Sequence, residues 1–171
     1  VNILLYSTMF IPATALTYPV YNLVNRLHLY DTRSALILIY SCSGIAVSFF
    51  VIKNYYDKIP RELEESARID GCGYVQTWVK VIFPIARPGI MTAAVLAFLN
   101  NWNEYYWASL VLITREKLTV PALLSTFTTA FNTNYNGLFS AMVIIILPPV
   151  LLYCIFSRFF IEALSGGAVK G

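Results

Sequence analysis

The sequence predicts an all-α membrane protein with about four transmembrane helices in one domain, 1–171. Hydrophobic residues make up 58% of the chain and charged residues only 12%, against about 25% charged in ordinary soluble domains. The apolar residues form long runs, and a run of roughly 20 residues is long enough to cross the hydrocarbon core as a helix. One long charged segment, 53–88, separates these runs in the middle of the chain.

The first two apolar runs lie ahead of the charged segment. Residues 1–25 carry no charge and predict the first span. Pro12 and Pro19 interrupt this run, and we expect a kink that faces the protein interior, where neighbours can satisfy the freed carbonyls. Residues 34–52 are again uncharged and predict the second span. No charged stretch precedes the first run, so a signal peptide is not expected.

The charged segment 53–88 has the pattern of two short helices joined by a glycine hinge. Pro60 suits the first helical position, and the glutamates that follow it favour the positive end of the helix dipole. The first helix is expected to stop at Gly71, for which we predict a positive φ. The second helix is expected to end at Pro84.

The second of these helices carries one predicted apolar face. Its members recur at helical spacing and are Tyr74, Val75, Trp78, Val79 and Ile82. A soluble hairpin would pack such a stripe into its own core, but the flanking runs are apolar enough to leave the water. The face is therefore expected to contact membrane-embedded helix ends or a partner protein.

The third predicted span, 89–113, contains a polar cluster past its midpoint. Asn100, Asn103 and Trp107 fall at i, i+3 and i+7 of one helical face, with Glu104 beside Asn103. Polar side chains at that depth are costly against lipid, which favours a position facing the bundle interior or a water-filled cavity. An aromatic belt at the membrane surface, with Glu104 already in water, is the alternative.

The fourth predicted span is 138–160, and the basic residues set the orientation of the chain. Eight of them flank the spans on one side: Lys53, Lys58, Arg61, Arg68, Lys80, Arg87, Arg158 and Lys170. Four lie on the other side: Arg26, Arg33, Arg115 and Lys117. The excess predicts that the segment 53–88 and the C-terminus are cytoplasmic.

Enzymatic and metal-binding functions are not expected. The sequence has no phosphate-binding loop of the G-x4-G-K-[ST] type, so the chain should not hydrolyse ATP itself. Its single histidine, His28, and its widely spaced cysteines give no metal-ligand pattern. Of the cysteines, Cys72 is expected to be a free thiol in a reducing compartment. No cofactor and no nucleic-acid partner is predicted.

Three separated motifs resemble one protein family. Glu65-Ser66-Ala67, then Gly71, then Val81 to Pro84 is similar to the cytoplasmic loop signature of binding-protein-dependent ABC import permeases, EAA-x3-G-x9-I-x-L-P. The sequence departs from it conservatively at Ser66, Val81 and Phe83. The wider match, which includes IPRELEESARIDG, WNEYYW and GGAVKG, resembles the carbohydrate branch and in particular the maltose-type second permease.

The resemblance implies the fold, the partners and the site residues. It implies a six-span permease fold, of which this chain offers about four spans, so two N-terminal spans are expected to be missing. The implied partners are a second permease, two ATP-binding subunits and an extracytoplasmic sugar-binding protein, in a cell inner membrane. The implied contacts with the ATPase are Glu65, Ser66, Ala67, Asp70, Gly71, Val81, Phe83 and Pro84. The cluster Asn100, Asn103, Glu104 and Trp107 suits a carbohydrate path chemically.

Two other functions stay open at this point. A secondary transporter or channel would need no ATPase and could use Glu104 as a proton or cation site. A structural or assembly subunit would use the polar cluster for interhelical hydrogen bonds only. The long charged hairpin favours the ATP-coupled permease, because a secondary transporter has no need of it.

Overall fold

A computed structural model describes residues 2–128 and 133–168, with side chains over 3–128 and 133–157. Within these ranges every regular element is helical, and the β structure is limited to one isolated bridge between Thr128 and Thr133. The predicted all-α class is therefore confirmed. The α-helices are α1 Asn2–Thr8, α2 Thr17–Arg26, α3 Arg33–Tyr56, α4 Arg61–Ile69, α5 Tyr74–Thr77, α6 Phe83–Trp102, α7 Tyr106–Val111, α8 Val120–Leu124 and α9 Tyr135–Ala168.

Three helical stretches in the described part of the chain are long and apolar enough to cross a membrane. They are Arg33–Tyr56 with 24 residues, Tyr74–Trp102 with 29 and Tyr135–Ser157 with 23. The predicted runs 34–52 and 138–160 lie inside α3 and α9. Helix α9 passes through its two adjacent prolines without a break.

The run 1–25 does not form one kinked helix, so that prediction is wrong. It is divided into α1, a 3₁₀ turn over Ala13–Leu16, and α2. Pro12 caps the 3₁₀ turn in an extended conformation, with φ −63° and ψ 134°. Since a proline also disfavours the helical conformation of the residue before it, the chain leaves the helix completely there.

The helix boundaries at Pro84 and Gly89 also differ from the prediction. α5, a π-helical turn over Trp78–Ile82 and α6 follow one another directly, so no helix ends at Pro84 and none starts at Gly89. The Phe83 N–H bonds to the Trp78 carbonyl, five residues back. This wider turn lies just before Pro84 and leaves room for a ring that would clash with a regular α-turn.

The chain divides into two compact units. The first comprises 1–46 and 98–154, and the second comprises 47–97 and 155–171. The buried cluster of the first unit draws on α2, α3, α7 and α8: Val24, Ala35, Leu36, Trp107, Ala108, Val111, Leu112 and Ala122. In the second unit small side chains predominate among the buried residues, which include Ala67, Ala86, Gly89, Thr92 and Ala93.

Candidate functional site

The hinge between α4 and α5 is a Schellman motif centred on Gly71. Gly71 has φ +82°, so the predicted positive φ is confirmed. Its N–H donates to the Arg68 carbonyl at 3.0 Å, and the Cys72 N–H donates to the Ala67 carbonyl at 2.9 Å. These two bonds satisfy carbonyls that the end of a helix otherwise leaves without partners. The direction in which the chain leaves α4 is thereby fixed.

The start of α4 is tied to the end of α3. Pro60 is the N-terminal cap of α4, so the helix starts at Arg61, one residue later than predicted. The Tyr56 hydroxyl, on the last residue of α3, donates to Glu64 Oε1 at 2.9 Å. Glu62 and Glu64 lie in the first turn of α4, where carboxylates favour the helix dipole.

The predicted apolar face of the second hairpin helix is divided. Ile82 is 2% exposed and packs inward, whereas Tyr74 and Val75 are 79% and 71% exposed. Trp78 and Val79 are about half exposed. The prediction of a single face is wrong for Ile82, because the π turn changes the angular spacing of the residues between 78 and 82.

The residues predicted to contact an ATPase occupy two environments within the second unit. Five of them are exposed: Glu65, Ser66, Asp70, Gly71 and Pro84. Ala67 is buried, and Val81 and Phe83 are half-buried. Glu65, Ser66 and Asp70 lie on α4 and its C-cap, next in sequence to Ile69, which is 86% exposed.

The polar cluster at the end of α6 does not form one helical face. α6 ends at Trp102, and α7 starts only at Tyr106. Asn100 and Asn103 are exposed, but Trp107 lies on α7 and is buried in the core of the first unit. The predicted i, i+3, i+7 stripe is wrong, since its geometry requires the helix to continue.

Glu104 explains why the helix is interrupted. Its Oε1 accepts from the Trp107 N–H at 2.8 Å, and its Oε2 accepts from the Ala108 N–H at 3.2 Å. Oε2 also accepts from the Tyr40 hydroxyl of α3 at 2.7 Å. A carboxylate at the first turn of a helix satisfies otherwise unpaired N–H groups and favours the dipole. Glu104 therefore starts α7 and holds it against α3.

Trp102 supplies a hydrogen bond that a proline cannot make. Pro149 has no N–H with which to bond to the carbonyl four residues earlier, that of Ile145. The Trp102 indole N–H donates to this Ile145 carbonyl at 3.0 Å. Trp102 thus satisfies a half-buried acceptor in the middle of α9 and joins the end of α6 to it.

Asp31 is a polar centre that the sequence analysis missed. Its carboxylate accepts from the backbone N–H groups of Ile113 and Thr114 at 2.9 and 3.0 Å, and from the Thr114 hydroxyl. The Lys117 ammonium donates to the carboxylate and to the Asp31 carbonyl, at 2.7 Å in each case. The Lys117 bond, followed by those from Thr114, holds the pKa of Asp31 well below its usual range.

The described residues contain no group of three or more His, Cys, Asp or Glu side chains that could hold a metal ion. Cys72 is half-buried in the hinge. What the hairpin offers is instead a surface, with its shape fixed at Gly71 and with apolar, acidic and basic side chains exposed on it.

Comparison with known proteins identifies the family. Residues 1–166 match the family described as binding-protein-dependent transport system inner membrane component. The chain belongs to this family. Its members are inner membrane components of transport systems, which agrees with the three long apolar helices in the described part of the chain.

Among curated relatives, the chain is 34% identical over 169 residues to the arabinooligosaccharides transport system permease protein AraQ of Bacillus subtilis. It is 32% identical over 166 residues to the trehalose transport system permease protein SugB of Mycobacterium tuberculosis. These alignments cover 99% and 96% of this chain but 59% and 60% of the relatives. The chain therefore spans about three-fifths of their length.

A solved structure supports the fold. The chain matches one chain of a bacterial ABC transporter involved in the import of the acidic polysaccharide alginate, with a TM-score of 0.65 and 22% identity. The match covers 99% of this chain and 61% of that chain. The match confirms the predicted ABC importer permease fold of the chain.

Proposed function

We propose that this chain is the permease subunit of an ATP-driven sugar importer, and that the segment 53–88 couples it to a separate ATPase. The observation that carries the proposal is the hairpin, which exposes Tyr74, Val75 and Ile69 on a turn fixed by Gly71. The chain that carries it belongs to a family of transport-system membrane components. Large apolar side chains on a polar, rigid turn favour a protein partner.

The remaining parts of the proposal follow from the family and from charge. The importer would contain a second permease, two ATP-binding subunits and an extracytoplasmic sugar-binding protein. The excess of basic residues within 53–88 and after the last apolar run favours a cytoplasmic position for 53–88 and for the C-terminus. Closure of the ATPases would move the hairpin, and the spans would alternate between inward- and outward-open states around a central pathway.

Within the hairpin we assign roles by exposure. Glu65, Ser66 and Asp70 would contact the ATPase directly, because their side chains are exposed on α4 and its cap. Gly71 would set the angle between the two helices. Ala67, together with Val81 and Phe83, would support this surface from within, and Pro84 would lie at its edge.

A sugar is the proposed substrate class. The relatives named above include permeases for arabinooligosaccharides and trehalose. Asn100 and Asn103 are exposed at the end of α6, where their amides can pair with hydroxyl groups. Glu104 and Trp107 would shape this part of the pathway, since Glu104 is bonded to three donors of the protein and Trp107 is buried. The same bonding disfavours an ion site at Glu104.

Cysteine chemistry tests the docking proposal. In a chain with its own cysteines replaced by alanine, Val75→Cys should crosslink to a cysteine introduced on the docking surface of the ATPase. It should also resist an impermeant thiol reagent added from outside. The matched control is Arg115→Cys, which is also exposed and is expected on the other side. It should react with the reagent and should not crosslink. If Val75→Cys is labelled from outside, or if it fails to crosslink in an active transporter, the proposal is wrong.

Two substitutions test the pathway. Asn103→Ala should change uptake or sugar selectivity and leave assembly intact. The Asn103 side chain is exposed, and its bond in the described part of the chain is a local one, to the Leu99 carbonyl. Glu104→Gln should weaken assembly or stability without a change in selectivity, because an amide nitrogen cannot accept from α7. The reverse pattern would contradict these assignments.

A further inference from the structure

Two adjacent tyrosines at the end of α3 contact α4, the first helix of the hairpin, and α6, the membrane helix that follows the hairpin. Tyr56 bonds to Glu64 in the first turn of α4. The ring of Tyr55 lies directly against Gly89 of α6: a Cβ added at Gly89 would be 2.4 Å from Tyr55 Cγ and 2.6 Å from its Cβ. α3 and α6 therefore approach each other as closely as they do because residue 89 has no side chain.

The connection from α3 to α4 is short and bonded. The Lys58 N–H donates to the Tyr55 carbonyl at 3.2 Å, and the Ile59 N–H donates to the Tyr56 carbonyl at 3.0 Å. Pro60, with its restricted φ, then starts α4. A connection this short and restrained has little freedom to move, so a displacement of α4 also displaces the end of α3.

The inner side of α4 packs on the second hairpin helix. Ala67 is 6% exposed, Thr77 of α5 is 6% exposed and Ile82 of the π turn is 2% exposed. These contacts are small and apolar, whereas the Tyr56–Glu64 bond is directional and reaches a charged acceptor. A push on α4 along its own axis is therefore resisted by the directional bond more than by the apolar contact.

We infer that Tyr55 and Tyr56 transmit movement of α4 to the membrane helices, Tyr56 through its hydroxyl to Glu64 and Tyr55 through its ring to Gly89. Both are positioning residues, and the inference rests on the proposed ATP-coupled function. Substitution should leave ATPase docking intact but lower the amount of solute moved per ATP hydrolysed.

The chain offers a matched pair of variants. Tyr56→Phe removes the hydroxyl that bonds to Glu64. Tyr55→Phe makes the same chemical change at the next residue, where the hydroxyl is buried and has no hydrogen-bond partner among the residues that the structure describes. It keeps the ring that meets Gly89. Tyr55→Ala removes that ring.

The experiment measures ATP hydrolysis and solute uptake by the whole reconstituted transporter. Tyr56→Phe should lower uptake per ATP by roughly threefold to tenfold, as expected for one hydrogen bond. Tyr55→Ala should lower it as well, and Tyr55→Phe should match the wild type. Glu64→Gln should retain coupling because its amide oxygen still accepts, whereas Glu64→Ala should behave like Tyr56→Phe. Combining Glu64→Ala with Tyr56→Phe should add little further loss.

The outcomes separate this inference from the function on which it rests. If the wild-type chain does not co-purify with an ATPase, the proposed function is wrong. If the ATPase docks and transport is normal in Tyr56→Phe, or if Glu64→Ala and Tyr56→Phe lower coupling additively, the transmission route is wrong. Equal losses in Tyr55→Phe and Tyr56→Phe would likewise overturn it, because only one of these hydroxyls makes the bond.

Discussion

Substitution at Gly71 should weaken the hairpin through backbone strain alone. A Cβ built at Gly71 has no heavy atom within 4 Å, so added bulk meets nothing. The cost of substitution comes from the φ of +82°, because a left-handed conformation costs an L-residue with a Cβ about 1–2 kcal/mol. Gly71→Ala should therefore lower the population of the closed turn by roughly fivefold to thirtyfold, and the β-branched Gly71→Val should lower it further.

Gly73 provides the matched control two residues away. It also has no heavy atom within 4 Å of an added Cβ, but its φ of −70° and ψ of 165° are open to any residue. Gly73→Ala should therefore be close to neutral. Gly71→Asn should fall between wild type and Gly71→Ala, since asparagine tolerates the left-handed region better than alanine does.

Hydrogen exchange is a suitable assay, because it reports on the turn without assuming any transport function. The amides of Gly71 and Cys72, which bond to carbonyls of α4, should exchange faster in Gly71→Ala by about the same fivefold to thirtyfold. Uptake should fall in parallel if the hairpin is the coupling element. Equal exchange in Gly71→Ala and Gly73→Ala would refute the strain argument.

Three further predictions concern side-chain bonds and packing inside one unit or the other. The pKa of Asp31 is lower in the folded chain than its unfolded value of about 3.9, so its bonds contribute their full stability above that pH. This stability is lost as the pH falls through the pKa of the folded state. Thermal unfolding should therefore show an acid-dependent loss of stability in the wild type and not in Asp31→Asn. Trp102→Phe should lower the unfolding free energy by about 1 kcal/mol in a detergent-unfolding assay, because a carbonyl in α9 loses its donor, and wild-type stability would contradict this. Gly89→Ala should cost about 1–3 kcal/mol in the same assay because the Tyr55 ring must move, whereas Gly44→Ala, with open space around the added Cβ, should be tolerated.

The hinge was predictable because its signal is local. A glycine after a helical pattern predicts a left-handed residue from two or three neighbours alone, and Gly71 has that conformation. The rule applied at Pro84 was equally local but assumed an α-helical register. The π turn before Pro84 removes that assumption, and no residue type in the stretch indicates such a turn in advance.

Asp31 was not predictable for the opposite reason. Its partners lie 82 to 86 residues further along the chain, so no spacing pattern connects them. The local sequence shows only a few charged residues between two apolar runs. What the turn does, which is to hold the loop that contains Thr114 and Lys117, depends on how α2, α3 and α7 pack in the first unit.

Glu104, just after the end of α6, was singled out from the sequence, but its role in the structure differs from the one expected. Glu104 stood out because a carboxylate in an apolar run is costly, and the structure removes that cost with two backbone N–H groups and the Tyr40 hydroxyl. A carboxylate that already accepts three hydrogen bonds has little of its negative charge available to a passing solute. The exposed groups near it include the amides of Asn100 and Asn103, which are neutral and can both donate and accept. Under the proposed function, a pathway that these amides line would favour an uncharged, hydroxyl-rich solute over a cation, which is a physical reason to prefer a sugar over an ion as the substrate.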